Sequence, residues 1–572
     1  FIPSHKEFVE RIHRYDTKLF LQIALAGGQF CDQAPSSVYS PLYPHKPRAL
    51  SEGELDTLVE AFIQAAGRAV RCEYDGVEVH GAHSYLVGQM MSPALNRRSD
   101  KYGGSFDKRM RFVRDIVTGI RRECQQLAIG FKMSAVEEIP GGVDVGEGRK
   151  IARCVADLGV DYIHVSSTVP IGFHVRSKYH GVATSYVPRN NLIDLAEGIR
   201  REVPGTVIIG ASSITDPDEA EDALRRGKCD MVALGRALLA DPHWPRHVKE
   251  GKAVVPCIRC NVCYHQLWAG GALQCSVNPY LFHENEQDLP AAARKKVVVV
   301  IGAGPAGLRC ALTAARRGHA VTLYEKKSTI GGMMYPGSRP AFKQEVGWLL
   351  DWYRGQLEES SVQLKLNTEL TPDIVREMKP EVLVVAVGAE QVAPNVPGRD
   401  KPHFLSAVEV LVEADRYRGR KAVVIGGGEV GCETACHLAD FGCKVTIVEL
   451  EDRILPNNKI VTVDDQMHQL IEQKKVKVLT GTRLKAITDE GVEVVLPTGN
   501  DWGLEADVVA YAVGVRKPEE VGEKSHMQIS SLNDVVHHFS MFADEVHVIG
   551  DCSSPGRIKE ATSDGERVGR WI

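Results

Sequence analysis

Between Cys257 and Cys275 the chain runs Cys-Ile-Arg-Cys-Asn-Val-Cys, then eleven residues, then Cys. Three closely spaced thiols, Cys257, Cys260 and Cys263, with Cys275 at a distance, match the four corners of one [4Fe–4S] cluster, whose irons take cysteine thiolates. A structural zinc is the rival reading, but zinc ribbons usually set two Cys-x-x-Cys pairs about 15–20 residues apart. A disulfide framework fits less well. The other ten of the fourteen cysteines are scattered without pairing rhythm, some in apolar helical patterns such as Cys432 and Cys436. A cluster moves single electrons, so a chain that carries one needs a donor and an acceptor.

Two glycine loops supply sites for such groups. Gly302-x-Gly304-x-x-Gly307 follows an apolar run, and Gly426-x-Gly428-x-x-Gly431 follows another. In each copy an acid, Glu325 or Glu449, stands eighteen residues after the last glycine. One such motif alone is weak. Placed between a strand and a helix, with an acid about 20 residues on, it is a dinucleotide fingerprint. The glycines let the backbone approach a pyrophosphate, and the helix N-terminus offers it free N–H groups. The acids are placed to accept from ribose hydroxyls, and Glu449 would repel a 2′-phosphate, so NADH is expected over NADPH. The bland alternative for either acid is a solvated strand end.

The elements that must position these groups follow from periodicity. From residue 1 to about 250, short apolar runs at Leu19–Leu25, Gly76–His80, Ala128–Ser134, Asp161–Ser166, Val207–Gly210 and Met231–Leu234 alternate with amphipathic stretches such as Glu54–Arg71 and Lys108–Arg122. Repeated βα units imply a parallel sheet with right-handed crossovers. The expected fold class is α/β, a (β/α)8 TIM barrel followed by the cysteine segment and two Rossmann-like dinucleotide domains. Only six barrel units are legible, and the chain begins at Phe1 rather than Met. The first two units are therefore expected to lie outside it, and the open barrel to hold its cofactor weakly. The last strand runs into Gly235-Arg236-Ala-Leu, a loop and helix start of the kind that binds phosphate in barrels. With a net charge of −5 and no basic block, a nucleic-acid partner is not expected. No apolar run approaches the ~18 residues that span a bilayer. Free thiols point to a reducing, cytoplasmic setting.

The segment Asp75-Gly-Val-Glu-Val-His-Gly-Ala-His-Ser-Tyr-Leu, continuing through Ser92-Pro-Ala-Leu-Asn-Arg-Arg-Ser-Asp-Lys-Tyr-Gly-Gly-Ser105, resembles the old yellow enzyme barrel. The order of barrel, cysteine cluster and two dinucleotide folds resembles the NADH:flavin oxidoreductases that include 2,4-dienoyl-CoA reductase, 2-enoate reductases and trimethylamine dehydrogenase. The resemblance covers essentially the whole chain. It implies FMN in the barrel (1–250), a [4Fe–4S] segment and connector (251–290), an FAD domain in two parts (291–400 and 516–572) and an inserted NADH domain (401–515). It implies that His80 and His83 hydrogen-bond substrate above the flavin and that Tyr85 is the proton donor. Gln22 and Lys132 would meet the flavin ring, Gly235 and Arg236 the FMN phosphate, and Asp551 the FAD ribityl chain. Structural, hydrogen-bonded histidines and an ordinary turn aspartate are the plainer readings of His80, His83 and Asp551.

The chain also departs from the family. Members usually carry Gln-Leu-x-His-x-Gly-Arg where this chain has Gln22-Ile-Ala-Leu25-Ala-Gly-Gly28, and many have Arg where Lys132 stands. Lysine keeps the positive charge but loses the planar fork. The expected function is NADH-dependent reduction of an activated C=C bond in a small molecule, an enoate or enoyl-CoA. The alternative within enzymes is an amine dehydrogenase or N-demethylase. A carrier flavoprotein without a substrate is a third class, against which the His-His-Tyr set stands. A homo-oligomer stays open.

Overall fold

The computed structural model describes residues 2–29, 31–38, 46–168, 177–518 and 541–572. It divides into two compact units, Phe1–Ala183 with Pro188–Gly235, and Thr184–Val187 with Arg236–Ile572.

In the first unit, strands β1 (Phe20–Ile23), β2 (Gly76–Gly81), β3 (Ala128–Glu137), β4 (Tyr162–Thr168), β5 (Val207–Gly210) and β6 (Met231–Val232) form one sheet in chain order. Every neighbouring pair is parallel. All six expected strands are present. Among the described residues the sheet is open, with β1 and β6 at its edges. The strands alternate. Val77, Val79, Ile129, Phe131, Met133, Ile163 and Val165 are fully buried. Between them lie small or polar residues: Glu78, His80, Gly130, Lys132, Ser134, His164 and Ser166. A two-residue period puts these on the opposite face, the interior of a barrel-like sheet. Low in that interior, aromatic rings fill the space that glycines leave. A Cβ on Gly76 would lie 2.3 Å from the Phe20 ring, and one on Gly130 2.0 Å from the Tyr162 ring.

Amphipathic helices connect the strands. Glu52–Arg71 starts at a capping box of Ser51 and Glu54 and buries Leu55, Val59, Phe62, Ile63 and Ala66 on one stripe. Helix Val145–Asp157 lies so close to β3 that a Cβ on Gly148 would meet the Ala135 carbonyl at 2.1 Å.

The second unit holds two five-stranded parallel sheets. The first contains β7 (Val297–Ile301), β8 (Ala320–Tyr324), β9 (Gln363–Lys365), β10 (Val382–Val385) and β16 (Glu545–Val548), in the order β9-β8-β7-β10-β16. The second contains β11 (Phe404–Ser406), β12 (Lys421–Ile425), β13 (Lys444–Val448), β14 (Lys477–Leu479) and β15 (Val508–Tyr511), in the order β11-β15-β12-β13-β14. Each glycine loop therefore follows the central strand of its sheet, β7 or β12, where doubly wound folds bind ligands. The chain leaves the first sheet after β10, completes the second, and returns as β16. The last helix, Ile558–Trp571, then packs on Pro305–Arg316. Gly565 and Gly569 permit the approach, since a Cβ on Gly565 would stand 2.3 Å from the Ala306 carbonyl oxygen. Within that contact Glu566 accepts from Arg309 and from Thr313, each at 2.7 Å.

Candidate active site and cofactor loops

Strand β2 ends in a turn that a run of ordinary L-residues rarely makes. His83 (φ 57°) and Ser84 (φ 52°) are both left-handed. Such strain persists only where surroundings over-determine it. Here the His83 N–H donates to Ser134 Oγ at 3.1 Å, and its ring Nε2 lies 2.8 Å from Ser166 Oγ. The turn gathers three rings. His80 lies 5.0 Å from His83 and 4.7 Å from Tyr85 between centroids, the latter edge to face. Tyr85 stands at the start of helix Leu86–Met91.

The register sets His80, Lys132 and His164 side by side on three adjacent strands. Burial, helped by the Lys132 charge and opposed by Glu78, pushes His80 down to about 4. Burial and Lys132 push His83 well down too. Both imidazoles are thus neutral near pH 7, each with one N–H donor and one acceptor. Burial lowers the Lys132 ammonium, against the pull of Glu78. In this row two buried ring nitrogens, His80 Nδ1 and His164 Nε2, have no hydrogen-bond partner among the described residues. Unpaired polar atoms inside a protein are costly, so these two suit a polar ligand.

Beneath this row sits Glu78, 7% exposed. Burial alone would raise its carboxyl; the His164 and Gln22 hydrogen bonds and the Lys132 charge outweigh it and hold it at about 2. Gln22 Nε2 donates to Glu78 Oε1 at 2.6 Å. The amide carbonyl of Gln22 is thereby turned away from Glu78 and left as the acceptor it can offer a flavin ring. The sequence reading did not single out Glu78 or His164. The available signal was the alternation of β2 and β4, which puts any polar residue at those positions inside.

The two glycine loops are near copies. Gly302 (φ 99°) and Gly426 (φ 104°) adopt a conformation open mainly to glycine. A Cβ on Gly307 would lie 1.9 Å from the Gly302 carbonyl oxygen, and one on Gly431 1.9 Å from that of Gly426. At the middle positions a Cβ would meet little: nothing within 4 Å at Gly428, and only Gly332 Cα, at 4.0 Å, at Gly304. That is the open approach a pyrophosphate needs. Each acid hydrogen-bonds its own loop. Glu325 Oε2 accepts from Ala303 N at 2.9 Å and Glu449 Oε2 from Gly427 N at 2.5 Å. A cavity of about 600 Å³ in this unit is lined by Gly302, Gly304, Glu325, Cys260, Glu433 and Asp551 among others. Burial raises the Asp551 carboxyl, which accepts from Gly556 N at 2.9 Å. A buried network unforeseen in the sequence also faces this cavity: Tyr186 Oη and Lys343 Nζ both donate to Glu433 Oε1, at 2.8 and 2.6 Å.

The four cysteines of the motif lie close enough to feel one another's charge. Cys257 feels the charges of Cys260 and Cys263, and Cys275 those of Cys257 and Cys260. Burial pushes the Cys257 thiol up to about 11, with Arg236 opposing. Arg259 (φ 50°) and Asn261 (φ 57°) are left-handed on either side of Cys260, curling the loop. Among the described residues no three His, Cys, Asp or Glu side chains converge on the position of one metal ion. Four thiols on this curled loop and the segment that follows it are the donor set a [4Fe–4S] cluster takes. Arg236 donates to Asn261 Oδ1 of this loop. Gly235 leaves open space where a Cβ would stand.

Residues 1–254 match the model of the NADH:flavin oxidoreductase / NADH oxidase family, and residues 296–565 that of the pyridine nucleotide-disulphide oxidoreductases. NADH oxidase of Thermoanaerobacter brockii is 35% identical over 98% of this chain and 86% of its own length. The chain belongs to the NADH:flavin oxidoreductase family. Cinnamate reductase of Clostridium sporogenes is 32% identical over 90% of this chain and 80% of its own. The solved structure of a 2-naphthoyl-CoA reductase with 2-naphthoyl-CoA is 28% identical and superposes with a TM-score of 0.89, covering 100% of this chain and 87% of that one. More distant relatives, at 28% identity and below, include dehydrogenases and demethylases of N-methylated amines. The protein is an oxidoreductase, with a TIM-barrel-like FMN oxidoreductase domain followed by a domain of the FAD- and NAD(H)-binding type.

Proposed function

We propose that this chain uses NADH to reduce a C=C bond conjugated to a carbonyl, in an enoate or enoyl-CoA. When bound, FAD and FMN supply hydride chemistry and a [4Fe–4S] cluster supplies single-electron passage between them. Cys257, Cys260, Cys263 and Cys275 would hold the cluster. Glu325 and Asp551 serve FAD, and Glu449 the ribose of NADH. Gln22, Lys132, Gly235 and Arg236 serve FMN. Lys132 brings a positive charge to the interior, where negative charge on a ligand gains most.

His80 and His83, held neutral, each present an N–H to the substrate carbonyl oxygen. These donors count most as that oxygen gains negative charge. Tyr85 delivers a proton to the α-carbon from its phenol, a hydroxyl that can donate. The observation that supports this reading best is the edge-to-face packing of Tyr85 on His80, whose Nδ1 is buried without a partner. Anaerobic stopped-flow of the NADH-reduced protein against enoates, enoyl-CoAs and methylated amines tests it. Rapid flavin reoxidation by an enoate or enoyl-CoA is expected. Reoxidation by none of these, with flavin reduction by a methylated amine instead, would assign the chain to amine oxidation.

A further inference from the structure

The interior of the first unit holds a second polar atom with no partner among the described residues, and it lies outside the His-His-Tyr set. We propose that His164 is a further FMN-binding residue, whose Nε2 accepts a hydrogen bond from an N–H or O–H of the bound flavin. This rests on the reading of the first unit as an FMN site.

The tautomer carries the argument. His164 Nδ1 lies 3.1 Å from Glu78 Oε2. An ionised carboxylate only accepts, so Nδ1 must carry the hydrogen, and a neutral imidazole then presents Nε2 as a bare acceptor. Three further observations fix Glu78 in the required state. Gln22 Nε2 donates to its other oxygen at 2.6 Å. The Tyr162 phenol hydrogen-bonds to it as well. Lys132, in register with His164 on the neighbouring strand, adds a positive charge that favours the carboxylate and disfavours a charged imidazole. His164 Nε2 is nevertheless buried and without a partner, a state that costs free energy until a donor arrives. Flavin offers two kinds: the ring imide N–H and the ribityl hydroxyls. His164 shares its register row with His80 and Lys132, so the acceptor belongs to the same site.

The test is the Kd of the full chain for FMN, with FAD saturating, for the unmodified protein and for His164→Phe, His164→Gln and Glu78→Gln. His164→Phe should weaken FMN about tenfold, the scale of one lost hydrogen bond inside a site. His164→Gln, which keeps an acceptor, should recover most of the loss. Glu78→Gln is nearly isosteric and can donate to Nδ1; the Nε2 it leaves protonated should weaken FMN, and less so when combined with His164→Gln. Unaltered FAD content reports an intact fold. If His164→Phe fails to fold, Glu78→Gln alone decides. FMN affinity unchanged in the folded variants would overturn the inference while leaving the functional reading standing. Absence of FMN binding in the unmodified protein would overturn both. Lumiflavin, which lacks the ribityl chain, locates the donor: an effect kept with it assigns the ring imide, and an effect lost assigns the ribityl hydroxyls.

Discussion

Tyr85 and His80 make separable contributions. Tyr85→Phe keeps the ring against His80 but removes the proton. Reduction of the substrate should fall about 10²–10⁴-fold, the usual span for general acid catalysis, with NADH-driven flavin reduction unchanged. Equal loss in both half-reactions would remove Tyr85 from the proton-donor role. His80 also makes a stability prediction. Its pKa sits near 4 in the folded chain because of burial, against about 6.5 unfolded. Between those values the unfolded chain binds more protons, so the folded state gains stability as pH rises from 4 to 6.5 and loses it as pH falls. Urea midpoints at pH 5 and 7.5 should differ less in His80→Asn than in the unmodified chain. An equal difference in both would show that the ring titrates normally.

The glycine loops separate packing from binding within one element. Gly431 and Gly428 lie three residues apart, but a side chain at one would collide with the Gly426 carbonyl at 1.9 Å and at the other would meet nothing within 4 Å. Gly431→Ala should destabilise the second unit by about 1–3 kcal/mol through overpacking. Gly428→Ala should leave thermal unfolding unchanged and raise the KM for NADH, because its methyl stands where a pyrophosphate would approach. On the proposed reading the acid after β13 would discriminate between dinucleotides. Glu449→Ala should lower the preference for NADH over NADPH; an unmodified enzyme that already prefers NADPH would refute that role. Within the helix pair, Gly565→Ala should lower the melting temperature, since no other residue fits against the Ala306 carbonyl.

At the scale of the whole molecule the two units divide the work. The anaerobically purified protein should contain about four iron and four sulfide per chain. Cys260→Ala should lose that iron and the NADH-driven reduction of FMN, while NADH still reduces FAD. Stoichiometric zinc without sulfide would replace the cluster with a structural ion. Cys260 is the informative target because it lines the cavity shared with Gly302, Gly304 and Asp551.

The sequence by itself determined the six strands of the first unit, both dinucleotide loops, the cysteine spacing and the His80-His83-Tyr85 set. These are local patterns, set by periodicity, by glycine's tolerance of positive φ, and by side chains a few residues apart. Only the tertiary structure decided that Glu78, Gln22 and His164 form one hydrogen-bonded group, because they lie on three different strands and meet through register. The same holds for Tyr186, Lys343 and Glu433, each on a separate segment of the second unit. The resemblance implied that the chain returns to the first sheet after the inserted domain, but not which strand β16 pairs with. A strand of four residues, Glu545–Val548, does not announce its neighbour. Pairing with β10 is settled by burial of Val382–Val385 on both faces, which a short sequence cannot express.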